Sequence, residues 1–265
     1  MYCSTISQSK ANVFNECKLK YRYRYVEKLK EESLNQDSLN FGSYIHKIFE
    51  DGISADSIEF LKELAKKYKK EYRIKNKNKD KTEICLKNFI KLNKKLNKGG
   101  QAELRYEILI SEEISVNGII DRIVKGDKGG YLIIDYKTGK REKNRVALYN
   151  DQQLQGYCFA VHKLYDIPIE DITVAHYYPV TDNLVSLQYS PAQISNYVKN
   201  KINEVWKIRK CKKPDLVPSE NQFCNWCGFK ELCPIFADPS TIPNRLDEAK
   251  QAQKKKNSKD NKKTK

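Results

Sequence analysis

The sequence predicts an α/β fold, because helical and strand-like patterns follow one another along its 265 residues. Residues 4–30 and 41–49 carry apolar side chains at helical spacing. Residues 103–137 instead alternate apolar and polar side chains, as strands do. A helix predicted at about 150–165 then precedes a strand predicted at 172–179. Strands and helices in this succession are typical of a sheet flanked by helices.

We expect residues 1–249 to form a single domain. A lysine-rich helical region at about 56–98, broken around residues 75–81, is predicted to be an insertion into this domain. A further strand is expected at 184–189 and a helix at 191–210. The sequence shows no internal repeat.

The chain carries a formal net charge of +16, which indicates a polyanionic partner. Residues 250–265 hold eight lysines and one aspartate, and such an apolar-poor segment is predicted to be a disordered basic tail. Without this tail the chain keeps a net charge of about +9. The alternative at this point is a lysine-rich surface that is merely solvated.

Membrane insertion and secretion are not predicted for this chain. No apolar run reaches the roughly 18 residues that a membrane span needs, and the N-terminus lacks the pattern of a secretory signal. A cytoplasmic protein is therefore expected, and its eight cysteines are not expected to form disulfides there. Four scattered cysteines are expected to be ordinary buried or surface residues: Cys3, Cys85, Cys158 and Cys211.

Two aspartates are predicted to face each other across a β-hairpin. Residues 126–130 (GDKGG) have the composition of a glycine-rich turn. If the strands pair about Lys128, Asp121 lies opposite Asp135, with their Cβ atoms about 5 Å apart. Like charges at that separation are destabilising unless a cation lies between them. Carboxylate oxygens are the ligands that Mg²⁺ prefers, so the hairpin predicts a metal site.

Lys137 adds a positive charge on the same face of the strand, two residues after Asp135. Its ammonium group would lie within reach of a phosphate oxygen or an attacking water. Glu107, on the preceding strand, is a candidate for a third acidic ligand. The alternative is an exposed strand, on which Asp135 pairs with Lys137 and Asp121 with Arg122. Apolar runs of buried-strand type lead into both aspartates, and this context favours the metal site.

The segments GIID (118–121) and DYK (135–137) resemble the core motif of the PD-(D/E)XK nuclease superfamily, in its RecB-like branch. His46, in FGSYIHKIFE, resembles the histidine upstream of this motif in that branch. Gln153 and Tyr157, in QLQGY, resemble its QxxxY motif. The resemblance implies a restriction-endonuclease-like core, in which a central mixed sheet is flanked by helices.

The resemblance also implies a role for each matching residue. His46, Asp121 and Asp135 would bind Mg²⁺ or Mn²⁺, and Glu107 fits the acid-bearing strand of the branch less tightly. Lys137 would orient or activate the attacking water. The catalytic set that the resemblance implies is Asp121, Asp135, Lys137, Gln153 and Tyr157.

Three cysteines near the C-terminal end form the pattern C-x₂-C-x₅-C, at Cys224, Cys227 and Cys233 within residues 222–236. Thiols so close together in a reducing compartment favour a metal site. The fourth ligand should also be a cysteine, and Cys17 is the candidate; the alternative for Cys17 is a buried helix residue. The spacing matches no paired zinc ribbon, and thiolates also suit an iron–sulfur cluster.

This cysteine pattern resembles the iron–sulfur variant of RecB-like nucleases, found in AddB-type and CRISPR adaptation-associated enzymes. In that variant, one N-terminal cysteine joins three C-terminal ones around a [4Fe–4S] cluster, which fastens the two chain ends together. Lys18 stands where many relatives carry proline after the first cysteine. The implied cluster ligands, for which Zn²⁺ is the alternative, are Cys17, Cys224, Cys227 and Cys233.

These features together predict a Mg²⁺- or Mn²⁺-dependent deoxyribonuclease. We expect an exonuclease that hydrolyses phosphodiester bonds of single-stranded or free-ended DNA in recombination, repair or replication, with a helicase or another such protein as partner. The segment YRYRY (21–25) is a candidate for phosphate contact and base stacking, or else a solvated amphipathic helix. The alternatives are a non-catalytic nucleic-acid-binding module with a structural metal site, and cleavage of RNA.

Overall fold

The computed structural model divides the chain into two compact units. One unit is formed by residues 36–202, and the other combines both chain ends, residues 1–35 and 203–265. The sequence predicts a single domain over residues 1–249. It gives no sign of a unit built from both chain ends, because segments that are distant in sequence but pack together leave no local signal. The described residues are 4–31, 36–96, 99–126, 129–139 and 141–263, with side chains described as far as residue 254.

Helices and strands occur in groups along the chain. None of the described helices combines the length and the apolar character that crossing a membrane requires. A π-helical turn at Arg22–Val26 and a 3-10 turn at Asn76–Asn78 join longer elements. The labelled elements are β1 (Thr5–Ser7), α1 (Gln8–Glu16), α2 (Lys18–Tyr21), α3 (Gln36–Asp51), α4 (Ile58–Lys69), α5 (Lys79–Lys95), β2 (Gln101–Ser111), β3 (Ile114–Lys125), β4 (Tyr131–Tyr136), α6 (Arg145–Tyr149), α7 (Gln152–Tyr165), β5 (Ile172–Tyr178), β6 (Asn183–Gln188), α8 (Pro191–Lys210) and α9 (Ile242–Lys263).

Strands β2 to β6 form a mixed sheet in the unit of residues 36–202. The pairs β2–β3, β3–β4 and β5–β6 are antiparallel, whereas β4 and β5 are parallel. A parallel pair needs a crossover connection, and α6 with α7 supplies it. Both α3 and α7 contact this sheet. The predicted class, a central mixed sheet flanked by helices, is therefore confirmed.

The β3–β4 hairpin has the register that the sequence predicts. Arg122 pairs with Ile134, so the ladder is centred on position 128. Beyond this pair, the Oδ2 of Asp121 accepts a hydrogen bond from the backbone N–H of Tyr136, the neighbour of Asp135. The centre of the turn, Lys128, lies outside the described residues.

The lysine-rich region predicted at 56–98 forms α4 and α5, and the predicted break at 75–81 falls between these two helices. Helix α3 packs with both of them around a shared apolar core. Within it the rings of Phe49 and Phe89 are stacked, with their centroids 3.9 Å apart. The ring of Tyr136, from β4, meets both rings edge-on. The last residue of β4 is therefore anchored in this helical layer.

Arg122 lies wholly buried on the face of β3 opposite Asp121. Its Nη1 donates to Asn93 Oδ1 at 2.6 Å, and its Nη2 donates to the Gly99 carbonyl at 2.6 Å. Neighbouring residues of a strand point to opposite faces of the sheet. The ion pair between Asp121 and Arg122, which the sequence left open, is therefore not formed.

In the unit of the chain ends, the YRYRY segment (21–25) is part of the packed structure. Tyr21 and Tyr23 are buried. Arg22 Nε donates to Glu27 Oε1 at 2.6 Å. Buried rings cannot stack on bases, so the predicted stacking role is wrong for these two tyrosines.

Helix α9 covers most of the segment for which the composition predicts a disordered tail. It begins at Ile242 and ends at Lys263. Its first half is attached to the unit of the chain ends, where Leu246 and Ala249 pack against a small apolar cluster. Lysine, glutamine, alanine and glutamate all have high helix propensity, so a segment too polar for a core can still form a helix.

Candidate active site

Three side chains that can bind a metal converge from three different elements. His46 of α3, Glu103 of β2 and Asp121 of β3 each offer one ligand atom, and these atoms all lie within 4.8 Å of one another. We name these three residues the candidate metal-binding group. The sequence predicts His46 and Asp121 as ligands, but not Glu103. Two carboxylates form a hard donor set of the kind that suits Mg²⁺ or Mn²⁺.

His46 is held in a defined orientation by the end of β4. Its Nε2 lies 2.9 Å from the carbonyl oxygen of Tyr136. Because a carbonyl only accepts hydrogen bonds, Nε2 carries the proton, and Nδ1 points toward Asp121 Oδ1 at 3.5 Å. Burial lowers the pKa of His46, but the carboxylates of Asp121 and Asp135 outweigh it, so that pKa is raised.

Asp121 is fixed by a backbone donor of the neighbouring strand. Its Oδ2 accepts a hydrogen bond of 2.8 Å from the backbone N–H of Tyr136. Its other oxygen, Oδ1, is the atom that faces His46. Tyr136 thus uses its N–H and its carbonyl to hold both side chains in place.

Asp135 and Lys137 form an ion pair next to this group, with Lys137 Nζ 2.7 Å from Asp135 Oδ2. Asp135 is only 2% exposed, and burial raises its pKa to about 6, against the opposing effect of Lys137. Burial lowers the pKa of Lys137, but the Asp135 carboxylate outweighs it and raises that pKa above its usual value. A buried carboxylate of this kind favours a nearby cation.

Gln153 and Tyr157 lie on α7 and connect to this ion pair through Lys137. Lys137 Nζ donates to Gln153 Oε1 at 3.2 Å. Gln153 Nε2 in turn donates to the Tyr157 hydroxyl at 2.6 Å. Positions 153 and 157 are one helical turn apart, so both side chains leave the same face of α7. The structure therefore brings together the lysine and both residues of the QxxxY motif.

The acid on β2 that reaches the metal-binding group is Glu103 and not the predicted Glu107. Glu107 pairs with Asn117, four residues from Asp121 along β3, and its Oε1 accepts a hydrogen bond of 2.7 Å from Ser115. Four strand residues correspond to about 13 Å. Both glutamates lie on β2. The register of β2 against β3 does not follow from the local sequence, so the sequence could not decide which of them lies near Asp121.

The backbone at Glu103 has a left-handed conformation, with φ of 50°. A side chain other than glycine seldom adopts this region, and such strain is concentrated at functional sites. Burial and the carboxylate of Asp121 raise the pKa of Glu103. The carboxyl group of Glu103 is therefore held close to that of Asp121 at an energetic cost. Such an arrangement is expected where a cation offsets the repulsion between the two carboxylates.

Behind the ion pair lies a buried histidine that the sequence motifs do not identify. His176 of β5 has no exposed surface, and its Nε2 lies 3.7 Å from Asp135 Oδ2 and 3.8 Å from Asp151 Oδ2. Burial lowers its pKa to about 4. Asp151 caps α7 by accepting from the N–H groups of Gln153 and Leu154. His176 pairs with Asp135 in the parallel β4–β5 ladder, so a prediction of that ladder would have identified it.

The four cysteines predicted as cluster ligands lie in the unit of the chain ends and line one pocket. The Sγ of Cys17 also accepts from the N–H of Lys20 at 3.5 Å, at the start of α2. Burial raises the pKa of Cys227 and of Cys233. Across the part of the chain that the structure describes, no three of these sulfur atoms all lie within 4.8 Å of one another.

The remaining cysteines differ in their surroundings. Cys85 and Cys158 are buried among apolar residues, as predicted. Cys211 is partly exposed. Cys3 lies outside the described residues.

Comparison with known sequences gives matches to nucleases. The chain is 28% identical over 175 residues to a subunit of an ATP-dependent helicase/deoxyribonuclease from Streptococcus uberis. It is 25% identical over 177 residues to the corresponding subunit from Streptococcus agalactiae serotype Ia. Each match covers 60% of this chain and 16% of the relative, so the chain corresponds to a small part of these proteins.

Comparison with solved structures supports the same fold. A protein from Eubacterium rectale, described as a predicted exonuclease, superimposes with a TM-score of 0.53 at 14% identity. The alignment covers 84% of this chain and 86% of that protein. A family model of the PD-(D/E)XK nuclease superfamily matches residues 5–234, which include the metal-binding group, the ion pair and all four clustered cysteines. The chain belongs to the PD-(D/E)XK nuclease superfamily.

Proposed function

We propose that this protein is a metal-dependent deoxyribonuclease that hydrolyses phosphodiester bonds. The observation that carries the proposal is the placement of His46, Glu103 and Asp121 beside the ion pair of Lys137 with Asp135. An ordinary ion pair on a protein surface would not need three metal-binding side chains beside it. A metal-binding group next to a half-buried lysine can stabilise charge on a phosphate and activate a water, which are two tasks of phosphodiester hydrolysis.

The metal would be Mg²⁺ or Mn²⁺, held by His46, Glu103 and Asp121, with Asp135 at their side. Once bound, it would stabilise negative charge on the phosphate and lower the pKa of a coordinated water. The donor set supports this assignment because two of its three ligands are carboxylates.

Lys137 would act on the reacting groups directly. Its Nζ is oriented by Asp135 and by Gln153 Oε1, and it keeps one further N–H for a phosphate oxygen or a water. Tyr157 fixes Gln153 and so acts through it. In this scheme Lys137 is the catalytic residue, and Gln153 and Tyr157 are positioning residues.

DNA as the substrate is supported by the names of the relatives, which are deoxyribonuclease subunits, and by the net charge of +16. We propose action on single-stranded or free-ended DNA, as an exonuclease in recombination, repair or replication. The same relatives are also named as helicases, so we propose that a helicase activity delivers the strand.

A digestion assay with metal as the variable tests this function. The substrates are a linear single strand with free ends and a circular single strand of the same composition, each with Mg²⁺, Mn²⁺ or a chelator. We expect the linear strand to be degraded with either metal, the circle to resist, and the chelator to stop the reaction. Cleavage that persists in chelator, or a protein inactive with both metals, would contradict the proposal.

We also propose that Cys17, Cys224, Cys227 and Cys233 bind a [4Fe–4S] cluster. The proposal is supported by the pocket that all four line and by the all-thiolate donor set. The cluster would tie α2 to the segment at 222–236 within the unit of the chain ends. Removing it should lower the stability of that unit.

Anaerobic purification tests the cluster. We expect a brown protein that contains iron and acid-labile sulfide in equal amounts, and a Cys224→Ser variant that has lost most of its iron. Cys211→Ser is the matched control, because Cys211 belongs to the same unit but does not line the pocket. A colourless protein with stoichiometric zinc, or equal iron loss in both variants, would contradict the assignment.

A further inference from the structure

A second concave site lies between α4 and α5, in the unit that also holds the metal-binding group. It has a volume of about 320 Å³, which is within the range of pockets that hold small ligands. Its rim is formed by lysines of α4, of the connection and of α5. We name it the lysine groove, after Lys62, Lys66, Lys69, Lys75 and Lys79.

The α4 lysines of the groove face one way because of their spacing. Lys62, Lys66 and Lys69 occupy positions i, i+4 and i+7, which share one helical face. Lys79 lies on the facing helix, at the first residue of α5. Like charges at these spacings destabilise a helix surface unless an anion lies between them. The positive end of the α5 dipole adds to the same field.

Few acids are available to neutralise the groove. Glu83 is the acid among its described lining residues, and its Oε1 already lies 2.8 Å from Lys87. Lys75 pairs with Asp37 at 2.7 Å. Within the described part of the chain, Lys62, Lys66 and Lys79 form no ion pair. The groove therefore keeps an uncompensated positive charge.

The floor of the groove is apolar and rigid. Tyr44 and Leu86 line it and are buried in the core of the helical layer. The Tyr44 hydroxyl donates to the carbonyl of Ala65 at 2.9 Å. Lysines around an apolar floor match a ligand that has charged phosphates along one edge and flat apolar groups along the other.

We propose that the lysine groove binds the phosphate backbone of a single DNA strand, away from the bond that is cleaved. A cavity of about 320 Å³ has room for a nucleotide-sized segment of one strand and none for a duplex. The proposal rests on the proposed function, because the strand is the nuclease substrate.

The groove and the metal-binding group lie on different sides of α3. Tyr44, in the groove floor, and His46, in the metal-binding group, are two residues apart. Two residues of an α-helix correspond to a rotation of about 200°, so these side chains leave α3 in nearly opposite directions. A strand held in the groove is therefore a remote part of the substrate, and the groove serves long strands only.

A salt titration of DNA binding tests the groove. Binding of a fluorescent 30-nucleotide single strand is measured in chelator, in a Lys137→Ala background. The test variant carries Lys62→Gln, Lys66→Gln and Lys79→Gln. Losing three phosphate contacts should reduce the slope of log K against log salt by about 2, and weaken binding roughly 10- to 100-fold near 0.1 M salt.

The matched control variant carries Lys94→Gln, Lys95→Gln and Lys163→Gln. These lysines are also exposed on helices and outside the groove, so the net charge changes equally. We expect the control to keep most of the wild-type slope and affinity. Equal effects in the two variants, or a groove that binds polyglutamate as tightly as the DNA strand, would overturn the proposal.

The outcomes separate the groove from the nuclease itself. The groove variant, with Lys137 intact, should lose more activity on the 30-nucleotide strand than on a dinucleotide. Equal losses on both substrates would overturn the groove while leaving the nuclease function in place. A wild-type protein without any cleavage would overturn the proposed function, and the salt titration would still decide whether the groove binds DNA.

Discussion

Replacing Lys137 by alanine is expected to slow DNA cleavage by a factor of about 100 to 1,000, the effect of losing one oriented donor at a reacting group. The protein should stay folded, because the buried Asp135 can become neutral. In the wild-type protein Lys137 opposes this by lowering the pKa of the Asp135 carboxyl. Without Lys137 that pKa rises further, which favours the neutral carboxyl and lowers the cost of keeping Asp135 buried. Initial cleavage rates, with circular dichroism for the fold, measure both parts of this prediction.

The control for this change is Lys163→Ala. Lys163 is exposed on α7, the helix that carries Gln153 and Tyr157, so the same charge is removed from the same element. We expect cleavage by this variant to stay within about twofold of the wild-type rate. Activity of Lys137→Ala at the level of the Lys163→Ala control would show that Lys137 has no catalytic role.

The second large effect is expected for metal binding, when the two glutamates of β2 are replaced in turn by glutamine. Glu103→Gln should weaken metal binding by more than about 100-fold, because even residues that only support a metal ligand contribute 10- to 100-fold. Glu107→Gln should leave metal binding almost unchanged, because Glu107 contacts Ser115 and lies about 13 Å further along the strand. Each variant changes one carboxylate of β2 to an amide, so the change in size and charge is matched.

Mn²⁺ binding by isothermal titration and the metal concentration for half-maximal cleavage measure this difference. Raising the Mn²⁺ concentration should restore part of the activity of Glu103→Gln, whereas Glu107→Gln should need no such increase. If Glu107→Gln is impaired and Glu103→Gln is normal, the metal ligand is Glu107, as predicted from the sequence.

Much of this site follows from local sequence rules. The glycine-rich connection predicts a β3–β4 hairpin centred on position 128, and the pairing of Arg122 with Ile134 agrees with that register. The side-chain period of a strand then puts Lys137 on the face of Asp135. One helical turn relates Gln153 to Tyr157. Each of these inferences uses residues that are close in the sequence or are joined by one tight turn.

The rest of the site depends on pairings that no local rule fixes. Glu103 and Glu107 could not be told apart, because the β2–β3 ladder contains a register shift near its turn, between Leu109 and Ser111. His176 reaches Asp135 only through the parallel β4–β5 pairing, whose connection is a long crossover. The packing of both chain ends into one unit is likewise a long-range contact.

Tyr136 belongs to two environments at once. Its ring packs against Phe49 and Phe89 of the helical layer and against Tyr177 of β5. Its peptide groups hold the two side chains that the metal would bind. A packing fault among those rings, made without touching any charged residue, would therefore be transmitted to the metal as a change in affinity. Metal affinity at the proposed site would thus measure how well the apolar layer is packed.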